Sequence, residues 1–331
     1  MNTKIRTCWI NITSGCNNKC VFCYYKNKGD KNIDIKTLEK YARFLKKMDV
    51  KNLILIGGEP TIHPDFLNIV SMFSEKYGLT PSVVTNGKKL ADKSFAREVM
   101  KHSKVVTFSI EGTEKIHNAL TGTNSFYSTI QGLKNCIEID GRKIGTNTTI
   151  SSQNVDNLPT LIDLLYKLGM RRMGFNMCSD FEPSNALMSP REFARKTQRI
   201  FREKRKQYND MKFTVITPQP LCLYDEDTRE MYAGNCHIYN GSGLVIDVDG
   251  SILLCTHWIQ YKLAKINPAI TVKGFYKLWS NLGAYRQEIK RYPSNKCMNC
   301  LIWGKCIGGC PIIWRVFDAQ KEIPGLKIGA R

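Results

Sequence analysis

The sequence predicts an α/β chain: an incomplete (β/α)6 barrel over residues 1–220, followed by a small cysteine-rich domain over 221–331. Three observations predict it. Short apolar runs alternate with helix-period runs through the first two-thirds. Glycine-bearing and polar motifs fall at the ends of those apolar runs. Cysteines become dense where helices become sparse.

Strands are expected at 7–12 (TCWINI), 52–57 (NLILIG), 81–86 (PSVVTN), 105–110 (VVTFSI), 144–150 (IGTNTTI) and 172–177 (RMGFNM), with helical patterns such as 35–48 and 158–169 between them. Strand–helix alternation at this spacing gives parallel βαβ units, with an active site at the C-terminal strand ends. After Met177 the rhythm changes. A basic run, "REFARKTQRIFREKRKQY" (Arg191 to Tyr208), reads as a solvated helix face, and a strand follows at 212–217. "GLVIDVDGSILLC" (243–255) reads as a hairpin around an Asp-Gly turn.

The chain has 331 residues and is 42% hydrophobic, enough for a sizeable core. No run approaches a membrane span and the N-terminus lacks a signal-peptide core, so an intracellular, cytoplasmic protein is expected. The 49 basic and 29 acidic residues give a net charge of +20, which favours an acidic partner. Thirteen cysteines, an odd number, are poor disulfide material in a reducing compartment, and metal clusters explain them better.

In "SGCNNKCVFCYY", Cys16, Cys20 and Cys23 follow the first strand with C-x3-C-x2-C spacing. Thiolates so close together can wrap one face of a cubane and leave one iron free. Zinc would need a fourth ligand, and the first histidine is His63. The glycines of "GGEP" (Gly57, Gly58, Glu59, Pro60) permit close backbone approach, and Glu59 can pair with an ammonium. "TNG" (Thr85, Asn86, Gly87) ends the third strand and "SIEG" (Ser109 to Gly112) the fourth.

These motifs, in this order, resemble those of the radical S-adenosylmethionine (SAM) enzymes over roughly residues 5–180. The resemblance implies a 4Fe-4S cluster on Cys16, Cys20 and Cys23, with SAM on the open iron and an external one-electron reductant. It implies that the backbone at Phe22 touches adenine and that the Gly57–Pro60 motif holds the methionyl amine. Ser109 and Glu111 are expected at the ribose hydroxyls. Thr85, Asn86, Thr148, Thr149, Ser151 and Asn176 are expected to complete the cofactor-facing strand ends.

The tail carries Cys297, Cys300, Cys306 and Cys310 spaced C-x2-C-x5-C-x3-C, and upstream Cys236 and Cys255 fit C-x13-G-x4-C with Gly250. This is similar to the SPASM or twitch extension of radical SAM enzymes; a zinc ribbon is the structural alternative. The resemblance implies one or two auxiliary iron–sulfur clusters, the first on Cys236, Cys255 and Cys310, the second on Cys297, Cys300 and Cys306. A seventh cysteine of the full motif is missing after Cys310, leaving Asp318 or Glu322 as oxygen substitutes.

Four cysteines remain. Cys8 and Cys136 read as small core residues, and Cys178 ends the sixth strand. Cys222 opens the bridge to the extension. In peptide epimerases of this family a cysteine in that region returns hydrogen to a substrate radical. The other readings of Cys222 are a buried thiol and a fourth ligand to the first auxiliary cluster. Asp210 is the candidate proton-handling partner, against a plain surface carboxylate.

The resemblance also implies a peptide substrate, with acidic segments to suit the charge. Peptide-modifying members often begin with a leader-recognition domain. Only fifteen residues precede Cys16, so a partner or direct binding at the barrel mouth is expected instead. Epimerisation of a ribosomally made peptide is the favoured reaction. Crosslinking or formylglycine-type oxidation is the alternative, and small-molecule dehydrogenation a further one. Nucleic acid is disfavoured, because no aromatic–basic interleaving is evident.

Overall fold

The computed structural model describes residues 4–26, 29–179, 186–267, 270–281 and 292–326. Among the described residues, seven parallel strands follow one another in sequence and in space: β1 (Thr7–Thr13), β2 (Asn52–Gly57), β3 (Ser82–Thr85), β4 (Val106–Ser109), β5 (Ile144–Ile150), β6 (Arg172–Met177) and β7 (Lys212–Val215). On the other side of β1 lies β8 (Gly243–Ile246), parallel to it, with Thr7 opposite Gly243 and Ile10 opposite Ile246. β9 (Ser251–Leu253) and β10 (Lys262–Lys265) then run antiparallel, giving one mixed ten-stranded sheet ordered β10-β9-β8-β1-β2-β3-β4-β5-β6-β7. The strands after residue 220 therefore extend the same sheet, and one apolar core runs from Ile5 through Phe275 and Ile313.

Helices link the parallel strands, as β-branched and aliphatic runs buried on a parallel sheet require. They include α1 (Ile35–Lys47), α2 (Phe66–Ser71), α3 (Lys93–His102), α4 (Glu114–Thr121), α5 (Phe126–Asp140), α6 (Leu158–Lys167) and α7 (Pro190–Gln207). Their starts are chemically marked. The Asp34 carboxylate accepts from Thr37 N at 2.9 Å, and that of Asp92 from Ser94 N and Phe95 N. Ser189 accepts from Glu192 N ahead of Pro190, an S-x-x-E start.

The basic run forms α7, with Phe193, Thr197, Ile200, Phe201 and Lys204 buried along one face. Its basic side chains also find carboxylates: Arg202 pairs with Asp225 and Asp227, Arg205 with Glu230, Lys196 with Asp156 and, from the buried face, Lys204 with Asp163. The charge there supports the fold's own carboxylates before any partner. Among the described residues no helix is long and apolar enough to cross a membrane.

Candidate active site

The loop after β1 is caught from three sides, and two glycines make the catch possible. A Cβ at Gly57 would lie 2.2 Å from Thr13 O, and one at Gly58 2.0 Å from Gly15 O. Without them the end of β2 docks directly on the loop: Gly58 N donates to Thr13 O at 2.9 Å and Glu59 N to Gly15 O at 2.8 Å. From α4, Thr121 O accepts from Lys19 N and Leu120 O from Val21 N. From β3, Lys88 Nζ donates to Asn17 O at 2.8 Å, and Asn86 Nδ2 to Asn17 Oδ1 at 2.6 Å. Cys16 is exposed, while Cys20, Phe22 and Cys23 are half-buried. Backbone N–H groups of Asn18 and Tyr25 donate to the sulfurs of Cys16 and Cys23, each at 3.4 Å.

Two buried carboxyls flank this loop. Glu59 Oε1 accepts from Thr61 N (3.0 Å), Thr61 Oγ1 (2.5 Å) and Thr85 Oγ1 (2.7 Å); Oε2 accepts from Asn86 N (2.6 Å). Burial raises its pKa against those four donors. Glu111 Oε2 accepts from Thr149 N at 2.7 Å, and burial pushes this carboxyl up to about 8. Behind it, Glu111 N donates to His117 Nδ1 at 3.2 Å, and burial holds His117 down at about 4, so its ring is neutral. Although the residue as a whole is exposed, loss of water around its sulfur pushes the Cys16 thiol up to about 11, with the Glu59 charge adding to it. Burial likewise raises Cys20, with Glu111 as the next contributor.

The other strand-end residues hold the site's frame. Thr148 Oγ1 donates to Ile110 O at 2.6 Å, and Ser151 N donates to Asn154 Oδ1 at 2.8 Å. Asn176 bridges Asn147 and Thr217, and Ser109 sits half-buried at the end of β4. Asn17, Asn18, Thr61, Lys88 and His117 were not singled out by the sequence. Single asparagines and a lone lysine carry no spacing signature, and only their neighbours across the fold reveal them.

The cysteine-dense portion contacts this loop through its aromatic end. Tyr25 Oη donates to Asp247 Oδ1 at 2.5 Å, and Asn11 Nδ2 donates to the same oxygen at 2.9 Å. The Tyr24 ring lies 4.4 Å from that of His257, which burial holds at about 4. Cys236, Cys255 and Cys310 act on one another electrostatically, and burial pushes Cys255 up to about 11. A separate small cavity is lined by Cys222, Cys297, Cys300 and Cys306.

Asp210 is not brought to the site. It precedes β7 at the N-terminal end of the sheet, exposed, where its carboxylate accepts from Arg171 Nε at 2.6 Å. Asp318 accepts from Gln320 N as the cap of a short helical turn, and Glu322 accepts from Arg191 N. Cys8 and Cys136 are fully buried in the core, and Cys178 is buried just after β6. Among the described residues, no three His, Cys, Asp or Glu side chains gather as a single metal ion requires. The donor chemistry suits a polynuclear group instead: three thiols on one short loop, N–H groups turned to two of their sulfurs, and an exposed Cys16 at the rim.

A model of the Radical SAM superfamily matches residues 10–176, about half of the chain, and the chain belongs to that superfamily. Fe-coproporphyrin III synthase of Methanosarcina barkeri is 24% identical over 330 aligned residues, spanning 90% of this chain and 81% of that one. The fold is similar to Streptococcus suis SuiB bound to S-adenosylmethionine, with a TM-score of 0.76 and 22% identity over 93% of this chain and 74% of SuiB. It is also similar to anSMEcpe with bound AdoMet and Cp18Cys peptide, with a TM-score of 0.73 and 18% identity over 93% of this chain and 89% of the other. The protein is thus a radical SAM superfamily enzyme whose α/β fold is similar to those of SuiB and anSMEcpe.

Proposed function

We propose that this enzyme modifies a peptide, and that it does so oxidatively. Cys16, Cys20 and Cys23 would hold a 4Fe-4S cluster together with SAM. When bound and reduced, that pair supplies a 5′-deoxyadenosyl radical able to remove a substrate hydrogen atom. Gly57, Gly58, Glu59 and Pro60 would orient the methionyl end. Glu59 Oε2 has one donor and keeps acceptor capacity for an ammonium. Glu111, with Ser109, would accept from the ribose hydroxyls, and the Phe22 backbone would meet the adenine. In this reading residues 1–220 handle SAM, and residues 221–331 form a SPASM-like portion with auxiliary iron–sulfur clusters. The protein acts in the cytoplasm, on a peptide with acidic segments, with an external reductant.

The peptide class is supported by the fold's likeness to SuiB, which has also been crystallised with its precursor peptide SuiA, and to peptide-bound anSMEcpe. The choice between two finishes rests on Cys222. Returning hydrogen to the opposite face of an Hα-abstracted centre would give a D-residue and needs a free thiol. Losing an electron to an auxiliary cluster gives a crosslink or an oxidised side chain, and needs none. The carrying observation is that Cys222 lines the same cavity as Cys297, Cys300 and Cys306, which favours the oxidative finish over epimerisation. Small-molecule oxidation, a tetrapyrrole included, is the competing substrate class, and the Fe-coproporphyrin III synthase relative keeps it in the test.

The test is anaerobic turnover with SAM and dithionite in deuterated water, offering acidic peptides encoded beside the gene. Oxidation removes two hydrogens from the product mass. A gain of one mass unit at one residue would establish epimerisation instead. Turnover of a porphyrinogen with no peptide product would overturn the peptide assignment.

A further inference from the structure

The short C-x2-C-x5-C array supplies three thiols, and residues 311–331 carry no cysteine to serve as a fourth. Among the described residues the oxygen substitutes are engaged elsewhere, Asp318 as a helix cap and Glu322 with Arg191. A cavity beside the array offers another donor. Its wall carries four cysteines, of which Cys222 comes from far upstream, on the one-turn 3-10 helix Leu221–Leu223 just beyond β7. Cys222 packs in the same small apolar cluster as Cys297, Ala319 and Ile323, with Trp303 and Trp314.

We propose that Cys222 is the fourth thiolate of the auxiliary site formed with Cys297, Cys300 and Cys306, closing the coordination of an iron–sulfur cluster there. This rests on the reading of the cysteine-dense portion as a cluster carrier. The surrounding backbone is shaped for sulfur. Leu221 N donates to Cys306 Sγ at 3.4 Å and Gly308 N to the same sulfur at 3.3 Å. Gly308 has φ +72°, and a Cβ on it would fall 2.4 Å from Pro293 Cγ and 3.3 Å from Cys297 Sγ, so only glycine lets the loop wrap this closely. Such N–H···S contacts hold and tune thiolate-bound clusters. The amide that binds Cys306 belongs to the residue next to Cys222, so one turn both presents a ligand and supports another.

On binding, each of the four thiols gives its proton to solvent and forms one sulfur–iron bond, with no change in oxidation state. A sulfur so bound has no S–H hydrogen to donate. The site's irons are then all ligated by protein, which fits an electron carrier and leaves no position for substrate. By contrast, the Cys236, Cys255 and Cys310 group remains a three-thiol set.

The experiment compares the anaerobic holoenzyme with chelator-stripped protein by pulsed alkylation with N-ethylmaleimide, read per cysteine by peptide mass spectrometry. The expected result is that Cys222 is protected at least tenfold in the holoenzyme, together with Cys297, Cys300 and Cys306. Iron analysis and Mössbauer spectra of Cys222→Ala and Cys222→Ser provide the second readout. With three 4Fe-4S clusters per chain, iron falls from about 12 toward about 8 in Cys222→Ala, or one cluster shows a changed ligand site in Cys222→Ser. Cys222 reacting as fast as in stripped protein while the other three stay protected would overturn the assignment. So would four reactive thiols, or zinc in place of iron. Cleavage of SAM to 5′-deoxyadenosine is read separately. Its absence from wild-type protein would defeat the radical SAM reading without touching the alkylation pattern.

Discussion

Glu111 is a buried carboxyl whose ionisation the fold resists, and this has a measurable cost. Its folded pKa is about 8 against an ordinary 4.5, mainly because burial removes water, with the Thr149 N–H only partly offsetting the loss. Between pH 4.5 and 8 the folded state therefore holds a proton that the unfolded chain has released. Stability falls as pH rises through that window and is flat above it. The rise from 4.5 to about 8, at about 1.4 kcal/mol per tenfold, corresponds to at most about 5 kcal/mol. Glu111→Gln keeps the shape and an acceptor for Thr149 N but cannot ionise. We expect the two proteins to melt together near pH 4.5. Near pH 8.5 the variant should melt higher, by up to about 7 °C, taking about 2.1 cal/mol/K per residue for a chain of this length. Differential scanning fluorimetry across that pH range, under argon, reads it. Parallel melting curves for the two proteins at every pH would refute the reasoning. The same group should report on SAM. Ribose hydroxyls donating to Glu111 favour its charged form, so binding below pH 8 should release a proton. Calorimetry in two buffers of different ionisation heat detects that release in the wild type and its loss in Glu111→Gln.

Gly58→Ala places a Cβ 2.0 Å from Gly15 O, a backbone atom that cannot swing away. The loop should leave its dock, at a cost of about 1–3 kcal/mol or more, and chemical iron analysis should show loss of the iron held by Cys16, Cys20 and Cys23, while iron at the proposed auxiliary sites stays. Asp210→Asn breaks only an exposed pair with Arg171. Stability should change by less than about 1 kcal/mol, and 5′-deoxyadenosine production, measured by chromatography, should equal that of the wild type.

Much of the sheet was legible because each parallel strand is an apolar run between turn residues, a signal confined to a few neighbours. The strands at 52–57, 144–150 and 172–177 fall where the sequence puts them. The seventh, Lys212–Val215, was legible as a strand, but its membership of the parallel array was not. Nor was the placing of β8 beside β1: Gly243 meets Thr7 across most of the chain, and no local pattern encodes such a pairing. Asp210 shows how short sequence separation misleads. It lies twelve residues before Cys222, yet β7 runs between them, and four residues at about 3.3 Å each carry the chain about 13 Å from one end of the sheet toward the other. The glycines of the Gly57–Pro60 motif were legible as sites of close approach. That the approaching backbone belongs to the cysteine loop itself, rather than to a ligand alone, emerges only from the fold.

The joint between the two cysteine-bearing regions is what gives the architecture its chemical logic. The proposed function needs a radical generated at the Cys16–Cys20–Cys23 loop and an electron accepted in the cysteine-dense portion to face one substrate. The residues just past Cys23 fix that relation. Tyr25 and Asn11 both donate to Asp247 Oδ1, at the end of β8, and Tyr24 lies against His257, two residues beyond Cys255. β8 itself is hydrogen-bonded along β1, the strand that leads into the cysteine loop. The loop and the Cys255 region are thus held by the same strand pair and the same buried carboxylate. A shift in one must move the other, because Asp247 has two donors to satisfy and is buried among them. Fixing the geometry through β1 leaves the far ends of β2 to β6, where Glu59, Glu111 and Asn176 lie, free to shape the space beside the cysteine loop, where the proposed function puts the substrate.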